Sequence, residues 1–238
     1  MKHCIISLPT MAENLACDEA LLDYCDSGTE ELLRLWEPDQ YAVVLGYANQ
    51  LEREANREFC RQNDIPILRR CTGGGTVLQG PGCLNFSLIL RLDRAEPLQS
   101  IHGTNEYVLV HQQRALAGLL NSNVERQGQT DLTIGGLKIC GHAQRRKRNC
   151  LIFHGCFLLN VDFAFMEKVL PMPSRQPDYR LNRSHSDFLR NLNIAPAQLH
   201  SALIGVWEAC DEFAKIPMDD IHQLAKTKYE ADEWNLKF

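Results

Sequence analysis

No apolar run in this 238-residue chain approaches the ~20 residues needed to cross a bilayer, so no membrane partner is expected. No Pro/Gly/Ser-rich linker and no internal repeat divides it, and residues 1–238 are expected to form a single domain. Cysteine spacing of the C-x-x-C type is absent, and the histidines and cysteines have no spacing that reads as a zinc site. A Gly-Lys-Ser/Thr phosphate loop, a G-x-G-x-x-G fingerprint and a Gly-x-Ser-x-Gly nucleophile elbow are likewise missing. Positive charge is in deficit, 25 Lys+Arg against 30 Asp+Glu for a net −5, which argues against general nucleic-acid binding. The chain opens on Met1-Lys2-His3 rather than a cleavable apolar leader.

What is present is ordinary soluble material: 45% hydrophobic and 23% charged residues. A globular chain of this length buries roughly 70–75% of its unfolded surface, enough for a core without staples. The ten cysteines are therefore expected to be mostly buried small hydrophobes in a reducing compartment, which predicts a cytoplasmic location.

Periodicity predicts a helix from Met11 to Cys25, with Met11, Leu15, Leu22 and Cys25 near one face. Short strands follow at Leu32–Trp36 and Tyr41–Gly46, split by the turn signal Glu37-Pro38-Asp39, then a charged helix over Glu54–Gln62. Ile65–Arg70 reads as a strand entering a glycine-rich loop, and Leu84–Leu92 as a more apolar strand. A long helix is expected over Asn105–Leu120, strands at Asp131–Ile134, Lys138–Cys140 and Leu151–Val161, and a helix over Pro196–Phe213. Strands clustered between helices, without regular β-α-β alternation, point to an α+β fold.

The strongest local feature is Arg69-Arg70-Cys71-Thr72-Gly73-Gly74-Gly75-Thr76-Val77-Leu78. Successive glycines cost chain entropy, and without side chains their N–H groups can turn inward to bind an anion. Arg70 offers a planar fork suited to phosphate or carboxylate. A tight connection without a ligand is the alternative. Lys138, in Gly135-Gly136-Leu137-Lys138-Ile139-Cys140-Gly141-His142-Ala143-Gln144, is either a surface charge or a fixed cation in a cleft, with its neighbours on the opposite strand face. Asp131 either holds Mg²⁺ or faces water. His154, inside an apolar strand, is read as a hydrogen-bonded core residue before a ligand. The run Arg145-Arg146-Lys147-Arg148 is read as a solvated hairpin tip, or as a patch that steers an acidic partner.

The order of these segments resembles the lipoate–protein ligase family, within the wider group of biotin and lipoate ligases and octanoyltransferases. The resemblance runs over nearly the whole chain, through Asn14-Leu15-Ala16, Leu33-Arg34-Leu35-Trp36, Arg69-Arg70 with Gly73-Gly74-Gly75-Thr76-Val77, Leu84-Asn85-Phe86-Ser87, Thr130-Asp131-Leu132, Lys138-Ile139-x-Gly141-x-Ala143-Gln144, His154-Gly155 and Glu233-Trp234-Asn235. It implies mixed β-sheets flanked by helices, and a two-step reaction. Lipoate attacks ATP to give lipoyl-AMP and pyrophosphate, with Mg²⁺ offsetting the phosphate charge. A lysine of a lipoyl domain, of a 2-oxoacid dehydrogenase complex or the glycine cleavage H protein, then takes the acyl group.

By position, the resemblance makes Lys138 the catalytic ammonium. It places Arg70, Gly73, Gly74, Gly75, Thr76, Val77, Leu78, Asn85, Asp131, Ala143 and His154 around nucleotide and acyl group, with Asp131 on the metal. Departures from the family pattern are Gln79-Gly80 after the glycines, Thr130 before Asp131, and Cys140 and His142 after the lysine. The C-terminal accessory domain of many such ligases is expected to be missing, with a separate accessory subunit as a possible partner. The nearest rival is an octanoyltransferase working through a cysteine thioester, which Cys83, Cys140, Cys150 and Cys156 keep open. A non-catalytic relative that binds lipoyl domains is the third reading. Biotin ligation is weaker, because the Gly-Arg-Gly-Arg type of loop is absent.

Overall fold

The computed structural model describes all 238 residues. In chain order the elements are β1 (Lys2–Ile5), α1 (Met11–Ser27), β2 (Leu32–Trp36), β3 (Ala42–Leu45), α2 (Leu51–Glu54), α3 (Arg57–Gln62), β4 (Ile67–Arg69), β5 (Val77–Gln79), β6 (Cys83–Arg91), α4 (Ile101–Ala117), β7 (Glu125–Gln127), β8 (Asp131–Ile134), β9 (Leu137–Arg146), β10 (Cys150–Leu158), α5 (Phe163–Val169), α6 (His185–Phe188), α7 (Pro196–Val206), β11 (Asp211–Glu212), α8 (Met218–Leu224) and α9 (Asp232–Asn235). Eight strands form a mixed sheet in the order β11-β1-β2-β6-β10-β9-β8-β7, and β4-β3-β5 form a smaller one. This is the α+β architecture expected, with mixed sheets flanked by helices. No helix is long and apolar enough to cross a membrane.

Both faces of the large sheet are covered, and period-2 alternation divides the labour. On β6, Leu84, Phe86, Leu88 and Leu90 join Phe153, Phe157, Val108, Leu116, Leu199, Leu203 and Trp207 in the core under α4 and α7. On the opposite face Ile89 meets Ile152, Leu15, Leu21, Leu22 and Tyr229 under α1. Asn85 and Ser87 share that second face, as do Arg34 on β2 and His154 on β10, their ladder partners. These polar groups thus lie on the face of the large sheet that α1 covers.

Four expectations need correction. The 54–62 helix is two pieces, because Asn56 leaves the first to cap α3, its side chain accepting from Phe59 N–H. The 105–120 helix starts at Ile101, where Ser100 Oγ accepts from Gly103 N–H. The last long helix ends at Val206, and Asp211–Glu212 instead pair parallel with β1. The basic run is no solvated tip. β9 continues through Arg146; Arg145 pairs with Glu19 at 2.8 Å, Arg146 bonds Thr104 and the Leu98 carbonyl, and Lys147 pairs with Asp23. Of the four, Arg148 alone is exposed.

Candidate active site

The glycine loop joins β4 to β5. Of its three glycines only Gly74 needs its freedom: φ is +86°, and a β-carbon there would lie 2.9 Å from Arg70 Nη2. Arg70 organises the loop from behind. Its guanidinium donates to the carbonyls of Gly73 (2.6 Å), Gly75 (2.7 Å) and Val44, and to Thr72 Oγ1. With the carbonyls drawn inward, the N–H groups of Gly73, Gly74, Gly75 and Thr76 donate to no acceptor in the protein. Unengaged N–H groups of this kind are what an anion site in such a loop would require, and the structure revises the role of Arg70. Arg70 supplies the scaffold, and the backbone supplies the donors. No carboxylate faces Arg70, and burial pushes its pKa down to about 10.

Arg69 fixes the approach to the loop from the other side. It is fully buried and donates to the carbonyls of Gly46, Tyr47, Asn49 and Asn235. Its own N–H bonds Asn235 Oδ1 at 2.9 Å, and its carbonyl accepts from the Trp234 indole at 2.7 Å. Strand β4 is therefore clamped by α9.

Lys138 enters the same cleft through an irregularity of β9. Cys140 pairs with Leu132 but Lys138 with Thr133, so Ile139 is an extra residue in the ladder. A bulge of this kind re-aims a side chain, and here it brings Lys138 to the face of Gly141 and Ala143. Lys138 Nζ lies 2.8 Å from Asp131 Oδ1, and Tyr179 donates to Asp131 Oδ2 at 2.7 Å. Burial, with the Asp131 charge beside it, pushes the Tyr179 phenol up. The Asp131 carboxylate is thus shared between an ammonium and a phenol.

Beneath the loop runs a buried polar relay. Arg34, fully buried, donates to Asp18 Oδ1 at 2.7 Å and to Asn14 Oδ1 at 2.6 Å. Asp18 Oδ2 lies 3.0 Å from His154 Nδ1, and His154 Nε2 lies 2.8 Å from Thr72 Oγ1, which also accepts from Arg70. Burial alone would raise the Asp18 pKa, but His154 and Arg34 outweigh it and hold the carboxyl below its ordinary range. Chemically this is His154 Nδ1–H donating to Asp18 while Thr72 donates to Nε2. The histidine expected in the core is there, and it also borders the cleft.

These elements enclose a cleft of about 200 Å³. Of the residues that the resemblance singles out, Arg70, Gly75, Thr76, Val77, Leu78, Asn85, Lys138, Ala143 and His154 line it together. Gly73, Gly74 and Asp131 stand behind that lining, and the Asn85 amide is paired with Gln79 in both directions at 2.9 Å. The lining also carries apolar side chains, Trp36, Val44, Phe86, Leu158, Met166 and Leu170 among them. Sequence reasoning missed Asp18, His142, Arg180 and His185, all of which border the cleft. Asp18 carried one signal, a carboxylate amid the apolar residues of α1. His142 donates from Nδ1 to the Thr130 carbonyl, and burial pushes its pKa down to about 4, so it is neutral at pH 7.

Residues 10–198 match the lipoyl protein ligase A/B catalytic domain. The chain belongs to that family. It is 27% identical over 240 residues to lipoate-protein ligase A subunit 1 of Thermoplasma acidophilum, covering 94% of this chain and 91% of the relative. Octanoyltransferase LipM of Geobacillus kaustophilus is 26% identical over 268 residues, with 95% and 94% covered. Among solved structures, a bi-partite lipoate protein ligase from T. acidophilum, studied with its E2 lipoyl domain, superposes with a TM-score of 0.83 at 23% identity, covering 99% of this chain and 96% of that one. A lipoate-protein ligase A bound with ATP gives a TM-score of 0.81 at 24% identity, with 99% of each chain covered. The family is enzymatic and works in lipoylation, and its members divide between ligases and octanoyltransferases.

Proposed function

We propose that this chain is a lipoate–protein ligase, activating lipoate with ATP and passing the lipoyl group to a lysine of a lipoyl domain. The observation that carries the reading is that a loop with four unengaged N–H groups and the Lys138 ammonium border one cleft with a partly apolar lining. In adenylation, negative charge builds on phosphorus as the carboxylate attacks and pyrophosphate leaves. In transfer, it builds on the carbonyl oxygen as an amine attacks and AMP leaves. A preplaced ammonium serves both steps, as does a backbone nest that needs no reorganisation. Lys138 acts as a charge stabiliser and forms no covalent bond. The apolar part of the lining takes the acyl chain.

Asp131 holds the Lys138 ammonium until phosphate competes for it. No cluster of three metal-ligating side chains exists in the chain. Mg²⁺ keeps most of its waters and binds through one or two carboxylates plus substrate phosphates, so Asp131 would hold it by giving up the contact of one oxygen with Lys138 or Tyr179. When bound, the ion offsets pyrophosphate charge. The relay from Arg34 to Thr72 keeps the loop in shape, which leaves Gly73, Gly74, Gly75 and Thr76 for phosphate, with Val77, Leu78, Asn85 and Ala143 forming the walls.

The relative named subunit 1 and the bi-partite solved ligase support reading residues 1–238 as one catalytic domain that works with a separate accessory subunit. The acceptors we propose are lipoyl domains of 2-oxoacid dehydrogenase complexes or the glycine cleavage H protein.

A second reading, acyl transfer through a cysteine, is favoured by one observation: Cys156 borders the cleft. Against it, the neighbouring Cys83 thiol and burial push the Cys156 thiol well above its usual range, where little thiolate forms. Lipoate- and octanoate-dependent ATP–pyrophosphate exchange by wild type beside Lys138→Ala tests the ligase. Absence of exchange, together with a thioester adduct formed from octanoyl carrier protein, would replace it with the transferase.

A further inference from the structure

The cleft has a cover, and the cover carries a cation with no counter-ion. The segment from Asp178 to Leu189 lies over the Lys138 end of the site. Tyr179 bonds Asp131, Arg183 Nη2 donates to the Gly136 carbonyl at 3.2 Å, and Arg190 N–H donates to the Lys138 carbonyl at 2.9 Å. Within it, Arg180 is 95% buried, 5% of its surface remaining, and borders the cleft. Its Nε donates to the Arg183 carbonyl at 3.0 Å and its Nη2 approaches His185 Nδ1 at 3.5 Å, both neutral acceptors. The guanidinium stacks over Phe188, 4.7 Å from the ring centre. Nη1 has no partner in the protein, and no carboxylate lies within ion-pair distance.

A buried charge is normally paired, because leaving water is expensive unless a counter-charge replaces the lost hydration. The other buried arginines obey this rule or satisfy their donors with carbonyls: Arg34 has Asp18, and Arg69 and Arg70 are ringed by main-chain oxygens. Lys138 has Asp131. Arg180 alone borders the cleft with a guanidinium donor that has no acceptor, and Arg183, which also stacks on Phe188, makes the local field more positive. His185 reinforces the arrangement. Its Nε2 donates to the Pro171 carbonyl at 3.3 Å, so Nδ1 is an acceptor and fixes the fork through Nη2.

The geometry points to Arg180 as an anion receptor in the cover, which binds an oxyanion of the substrate and so completes the cleft opposite the glycine loop. This rests on the ligase reading for the identity of the anion, which is the carboxylate of a medium-chain acid or a phosphate of the nucleotide. A carboxylate is planar and a phosphate tetrahedral, but each presents a pair of oxygens that a guanidinium edge grips through paired N–H groups. Arg180 would then balance its charge only when substrate is bound, and the cover would seat more firmly in the loaded state.

The test is direct binding, by titration calorimetry on the full chain without turnover. Octanoate is compared with neutral octanamide, and ATP with adenosine. In wild type one charged ligand is expected to bind about 10–100-fold more tightly than its neutral analogue. Arg180→Gln should cut that preference by about 10-fold while leaving the neutral analogue within about twofold, since one charge-assisted contact is removed and the glycine loop and Lys138 remain. Arg180→Lys, which keeps charge without the fork, should retain part of it. Loss of the octanoate preference assigns the carboxylate, and loss of the ATP preference assigns the phosphate. Equal weakening of charged and neutral ligands would show a role confined to packing on Phe188, and overturn the proposal. An unchanged preference in Arg180→Gln, or none in wild type, would overturn it as well. Failure of the ligase reading looks different: the anion preference survives, and pyrophosphate exchange is absent.

Discussion

Gly141 and Lys138 are packed so closely that a β-carbon on residue 141 would lie 2.6 Å from the lysine ammonium nitrogen. The glycine therefore belongs to the lysine's geometry as much as Asp131 does. Gly141→Ala must push the ammonium away from Asp131, and the displaced group is the far end of a flexible side chain. The melting temperature should hardly move, while pyrophosphate exchange falls by about 10²-fold, the usual result of misplacing a reacting group by an ångström. Lys138→Ala should lose about 10²–10³-fold in the same assay. A Gly141→Ala enzyme as active as wild type would separate Lys138 from the chemistry.

The Arg34–Asp18 pair is almost wholly buried, its side chains 0% and 4% exposed. Asp18→Ala strands a buried guanidinium, and the expected loss of stability is about 3–5 kcal/mol, measured by urea denaturation. The pH dependence follows from the sign of the shift. The folded-state pKa of Asp18 is depressed, so its contribution is complete above the unfolded value near 3.8 and disappears as pH falls through the lower folded value. Glu19 acts in the same sense, since Lys228, Tyr229 and Arg145 outweigh the effect of burial on its carboxyl. Wild type should therefore lose stability steeply in acid below about pH 4, and Asp18→Asn, weaker at pH 7, should show a shallower slope there.

Cys156→Ser separates the two family chemistries with one substitution. A ligase keeps its exchange activity within a few-fold, because the thiol takes no part. Abolished acyl transfer, with the fold intact by circular dichroism, would make Cys156 the acyl carrier.

The basic run predicts a split within itself. Arg145→Ala leaves Glu19 with Lys228 and Tyr229 only, and should cost stability of about 1–3 kcal/mol by thermal denaturation. Arg148→Ala, at an exposed side chain, should change stability by under about 0.5 kcal/mol. If the run steers an acceptor domain, Arg148→Ala is the variant whose transfer rate should respond to salt differently from wild type, because Arg145 and Lys147 are neutralised by Glu19 and Asp23.

Much of this architecture is legible in the residues. β2 and β8 run over the residues that period and turn signals predict, Leu32–Trp36 and Asp131–Ile134, because their apolar runs are short and sharply bounded. The glycine loop and Lys138 were found by order along the chain. What escaped was set by geometry across the chain. The bulge at Ile139 exists only in the register with β8, and no period along β9 announces it. Arg70 reads as a ligand donor until its carbonyl partners, three and five residues on, are seen to fold back over it. Asp18 sits in a helix buried on nearly every side, so its amphipathic stripe is weak and its carboxylate looks like surface. Arg180 lies in a stretch with almost no regular structure, where only its lack of a counter-ion marks it.

The clamp on Arg69 carries a consequence for biosynthesis. The strand that leads into the glycine loop donates its terminal hydrogen bonds to Asn235, 166 positions downstream. On the ribosome, at ≈ 5–20 residues per second, that is roughly 10–30 s during which the loop has been made but cannot be locked. A nascent chain paused before residue 235 would carry an open, unseated Arg69, and should fail to bind nucleotide however well its sheet has formed.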